Sequence, residues 1–63
     1  MAKFDPTRLR AAMLADIQSI ERYLKQVKEG IRAADSRKVQ ANCTAIKVEV
    51  DAIEVKNVQV AAV

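Results

Sequence analysis

The sequence predicts an all-α protein: an antiparallel helical hairpin that assembles into a homo-oligomeric helical bundle. Three observations predict it. First, two stretches place apolar residues at alternating three- and four-residue steps: Met13, Ile17, Ile20, Leu24, Val27 and Ile31, then Val39, Cys43, Ile46, Val50 and Ile53. That spacing lines one face of an α-helix. Second, the only glycine, Gly30, stands at the end of the first stretch, and the polar pair Asp35-Ser36 lies between the two. The connection is therefore short, and the helices it joins are antiparallel neighbours. Third, 63 residues are near the lower limit for a self-sufficient core. The chain is 51% apolar, but eleven of its residues are alanine and only Phe4 and Tyr23 are aromatic. A second copy is the simplest source of the missing burial.

Helix 1 is expected over about residues 6–29. Asp5 can cap the free amides of the first turn, and Pro6 follows where no amide hydrogen is needed. Gly30 is the natural residue for a left-handed helix end, with Ile31 as the accompanying apolar contact. The alternative carries the helix through Gly30, at a cost of about 1 kcal/mol, to a turn at Ala34-Asp35-Ser36. The bend is placed over about 30–35, and Asp35 or Ser36 then caps helix 2, expected over about 36–61. With the bend centred near residues 33 and 34, Leu24 falls level with Cys43, Ile20 with Ile46, Ile17 with Val50 and Met13 with Ile53. Arg10 falls level with Asn57, a polar layer at the open end that could set register.

Helix 2 carries a competing signal. Ile46, Val48, Val50, Ile53, Val55, Val58, Val60 and Val63 crowd its end, and β-branched residues favour strands. A helix followed by a C-terminal β-hairpin is the alternative. Against it, the alternation slips at Asp51-Ala52, and no Gly, Pro or Asn-Gly turn separates two strands. As a helix this segment is apolar on two sides, because Ala45, Val48, Ala52 and Val55 form a second stripe nearly opposite the first. A helix apolar on two faces expects two neighbours. One stripe is expected to take helix 1, and Val48, Ala52 and Val55 become the candidate partner face.

The basic residues gather near the bend. Arg22, Lys25, Lys28, Arg32, Arg37 and Lys38 lie close together with only Glu29 and Asp35 among them. With Tyr23, whose ring could stack on a base, they are the candidate contacts for an anion or a nucleic acid. The overall charge of +3 is too small to argue for nucleic acid by itself.

Other classes lack their residues. Without histidine, and with Cys43 alone, there is no intrachain disulfide, no Cys/His zinc site and no activated thiol. Cys43 reads as a small seam hydrophobe. No glycine-rich phosphate loop or Ser-His-Asp set exists, so neither an enzyme nor a cofactor is expected. No apolar signal core opens the chain, and no run approaches the roughly 18 apolar residues of a membrane span. A cytoplasmic, membrane-independent protein is expected, and the sequon Asn42-Cys43-Thr44 reads as coincidence. The run Val60-Ala61-Ala62-Val63 loosely fits C-terminal capture by peptide-binding domains, although a fraying helix end explains it as well. The function these residues favour is a small non-enzymatic interaction protein, an adaptor, assembly factor or inhibitor. It would self-associate and bind another macromolecule, a protein first, through helix 2 or the bend. The alternatives are nucleic-acid binding by the basic bend and an oligomer that sequesters a small anion between subunits.

Overall fold

The computed structural model describes residues 5–62. Residues 1–4, with Phe4, and Val63 at the end of the apolar tail lie outside the described residues. The chain forms α1 (Pro6–Arg32) and α2 (Ser36–Ala62), which pack lengthwise as an antiparallel hairpin of 52 × 14 × 13 Å. No strand occurs among the described residues. The valine-rich end is therefore helix as far as Ala62, and the C-terminal β-hairpin alternative is corrected. The helical period outweighs strand propensity here because α2 contains no Gly, Pro or Asn-Gly pair at which a strand could double back tightly.

Local chemistry sets both helix starts. Asp5 adopts an extended conformation, and its Oδ1 accepts from the amides of Thr7 at 3.0 Å and Arg8 at 3.4 Å, with Pro6 at the first helical position. Asp35 does the same for α2. Its Oδ1 accepts from Lys38 N at 3.1 Å and its carbonyl accepts from Val39 N at 3.1 Å. Each cap satisfies amides that have no partner within the helix.

The bend departs from the favoured expectation. Gly30 does not end α1, which continues three residues beyond the expected limit to Arg32. The left-handed residue is Ala34, with φ 56°. Ala34 N donates to the Ile31 carbonyl at 3.2 Å, and Asp35 N donates to the Gly30 carbonyl at 2.8 Å. This pair of bonds is the Schellman closure. The role of Gly30 is close approach instead. A Cβ placed there would lie 2.9 Å from Val39 Cγ2, 3.2 Å from Val39 N and 3.3 Å from the Asp35 carbonyl oxygen. Gly30 is the one buried residue among those described, clamped where α2 turns back across α1.

Between the helices the contact line is partly polar. Asp16, Tyr23 and Gly30 follow one another at heptad spacing on α1, as do Asn42, Glu49 and Lys56 on α2, and all of these except buried Gly30 are half-buried. Lys56 Nζ reaches Asp16 Oδ2 at 2.5 Å across the hairpin, and Lys38 Nζ reaches Glu29 Oε2 at 3.4 Å beside the bend. Among the described residues, no apolar side chain is fully buried.

Candidate interaction surfaces

The stripes described above lie beside the helix–helix line, not on it. Advancing about 100° per residue, the seam Met13, Ile17, Ile20, Leu24, Val27 and Ile31 centres well to one side of the direction in which α1 meets α2. Val39, Cys43, Ile46, Val50 and Ile53 are offset similarly on α2. Because the helices are antiparallel, both offsets fall on the same side. The outcome is a continuous apolar face built from both helices. Its inner row, Met13, Ile20 and Val27 with Cys43, Ile46 and Ile53, is half-buried. Its outer residues stand open: Ile17 is 42%, Leu24 46%, Ile31 65% and Val50 39% exposed. Met13, Leu14, Ile17 and Ile53, with Arg10 at the rim, line an open and almost wholly apolar groove on this face.

Met13 and Ile53, expected level with each other, share that groove, whereas Ile17 and Val50, expected level too, are both open to solvent, as is Leu24, expected level with Cys43. Arg10 and Asn57 are both exposed, so the polar layer expected at the open end is a solvated one within the single hairpin.

The reverse side differs in character. The second stripe of α2 is split: Ala45 and Ala52 are half-buried along α1, whereas Val48 and Val55 stand exposed. Helix 1 thus meets α2 between its two stripes, not on the first stripe as expected. On α1 the flanking positions are small or polar, Ala12, Ser19 and Gln26, all half-buried. The reverse side therefore offers one narrow aliphatic row, while the first face offers two helices.

Six basic residues surround the bend without converging on a single point. Arg22, Lys25, Lys28, Arg32 and Arg37 are exposed. Lys38 is held by Glu29, and Arg22 Nη2 donates to Ser19 Oγ at 3.2 Å. Arg22, Tyr23 and Lys25 come together with Gln26 and Asn42 around a shallow depression. Asn42 Nδ2 donates to the Lys38 carbonyl at 2.8 Å, which fixes its carboxamide on that wall. Arg37 lies apart, in a depression with Gln40, Ala41 and Thr44. Lys28 and Arg32 join neither.

Cys43 is a free, half-buried thiol on the apolar face. Two features escape periodicity. Leu14 is 65% exposed at the outer edge of the groove, one residue beyond the heptad position that Met13 fills, so a strict seam count passes over it. The Asp16–Lys56 pair joins residues forty apart and shows in the sequence only as two charges among many. Among the described residues, no group of metal-ligating side chains occurs and no helix is long and apolar enough to cross a membrane. Compared with protein-family models, curated proteins and solved structures, the chain matches none.

Proposed function

We propose that this protein is a non-enzymatic interaction module, a helical hairpin that associates with itself and binds another macromolecule through α2. One observation carries the reading. Among the described residues no apolar side chain is completely buried, yet eight large ones, from Leu14 to Val58, stand 39–67% exposed. Monomeric proteins rarely leave such faces in water, because each apolar Å² covered is worth roughly 25 cal/mol. The two-helix face suits self-association, and the single row Val48–Val55 suits a partner protein that lays a helix or strand along α2. A cytoplasmic site of action belongs to this reading.

The test has two parts. The melting temperature of the intact chain should rise with protein concentration, as it does when folding and association are linked. A melting temperature unchanged over a hundredfold dilution would remove self-association. A partner identified by crosslinking should then be lost with Val48→Asp and with Val55→Asp while helicity and oligomer mass stay unchanged. Loss of the fold in both variants would make that row core and not docking surface.

The depression lined by Arg22, Tyr23 and Lys25 favours a second reading, binding of an anion or a single-stranded nucleic acid. Binding of a short fluorescent RNA should then fall steeply with salt and vanish with Lys25→Glu. A small anionic ligand held there would instead raise the melting temperature with one nucleotide and not with its neighbours.

A further inference from the structure

We infer that the apolar face of Ile17, Leu24 and Val50 is covered by a second copy of this chain, packed with its bend at the opposite end. The inference rests on the self-association proposed above and adds the face and the orientation.

The area fits a second copy. One broad side of the 52 × 14 Å envelope presents about 700 Å², close to the roughly 800 Å² per partner of a standard stable interface. Both helices contribute apolar residues along its length, from the Met13–Ile53 groove near the open end to Ile31 at the bend. The reverse side has no comparable width, since α1 supplies Ser19, Gln26 and Arg22 there. A self-complementary face of this kind closes as a two-fold dimer, leaving neither copy with an open apolar plane.

Charge selects the orientation. Between Arg22 and Thr44 the chain holds six basic residues against two acidic ones, and the remainder holds five basic against six acidic. Bends placed together would set two strongly positive ends side by side. Bends placed at opposite ends set each positive bend against the weakly negative open end of the other copy. The helix dipoles already cancel within each antiparallel hairpin, so side-chain charge decides. In the opposed arrangement α1 packs on α1 of the other copy about its middle turns, which brings Ile17, Ile20 and Leu24 to the two-fold.

The experiment places a spin label at the bend, Ser36→Cys in a Cys43→Ala background, and measures mass by sedimentation and the intermolecular distance by double electron–electron resonance. The expected result is a dimer with labels about 40 Å apart, the length of a 27-residue helix. A dimer with labels closer than about 25 Å would overturn the orientation and leave self-association standing. A monomer at all concentrations would overturn both. A larger oligomer would overturn the two-copy assembly. Leu24→Asp should abolish the dimer and Val48→Asp should not. The reverse pattern would move the interface to the other side of the hairpin.

Discussion

Ala34 occupies the left-handed region that an L-residue enters at a cost of roughly 1–2 kcal/mol, and the bend tolerates it because two backbone hydrogen bonds and the Asp35 cap close there. Ala34→Gly removes the Cβ strain but loosens the unfolded chain by about 0.4–1 kcal/mol, so a net gain of about 0.5–1 kcal/mol is expected, read as a higher melting temperature. Gly30 answers in the opposite direction. Alanine would raise helix propensity by about 1 kcal/mol, yet its Cβ meets the Val39 amide and the Asp35 carbonyl, and backbone cannot move aside without opening the turn. Gly30→Ala should therefore destabilise by about 1–2 kcal/mol despite the better helix former. A stabilised Gly30→Ala protein would show that the helices have freedom to separate at the bend.

The two helices differ in what holds them. Helix α1 concentrates its apolar residues on one face, whereas α2 spreads them around its circumference and carries the β-branched residues that lower helix propensity. Its helical state depends on contacts with α1: the half-buried Ala45, Ala52 and Ile53, and the pair between Lys56 and Asp16. Those two side chains are 26% and 17% exposed, so the pair lies mainly out of water and loss of either partner strands a charge. Asp16→Leu or Lys56→Met alone should each cost about 1–3 kcal/mol. The double replacement Asp16→Leu with Lys56→Met should recover most of that loss, because apolar side chains suit the same partly dry position. A double-mutant cycle by denaturant unfolding measures the coupling. Additive losses would mean that solvent screens the pair and that register is held by packing alone.

For the whole molecule, the decisive quantity is apolar surface left in water. Covering Leu14, Ile17, Leu24, Ile31 and Val50, each about half exposed, is worth roughly 1 kcal/mol per side chain, or about 10 kcal/mol for two copies. That is the size of the roughly 4–15 kcal/mol cost of association, so small changes at this face should have large effects. Leu24→Asp occurs twice in a dimer and places a carboxylate at the interface each time. It should weaken self-association at least thirtyfold, since about 2 kcal/mol already gives that factor. With bends opposed, the dimer should also weaken modestly as salt rises and attraction between unlike ends is screened. Tighter association in salt would point to like ends placed together.

The sequence by itself pointed to two helices, their antiparallel pairing and the Asp5 cap, because a 3.6-residue period and capping side chains act within a few residues of one another. It left the second cap between Asp35 and Ser36 and the valine-rich end between helix and β-hairpin, and the structure decided both. The sequence also identified which residues make up each stripe. Where the stripes point was decided only in three dimensions. Helix α1 approaches α2 between its two stripes, on a line that carries Asp16, Tyr23, Glu49 and Lys56, and turns Ile17, Leu24 and Val50 outward. Periodicity defines a face but not its azimuth against a neighbour. That angle follows from the clamp of Gly30 on Val39 and the long-range Asp16–Lys56 pair, contacts between residues that the bend alone brings together. The same holds for the turn, where a lone glycine suggested a left-handed helix end. Packing instead required the absence of a Cβ at Gly30, and the strain passed to Ala34.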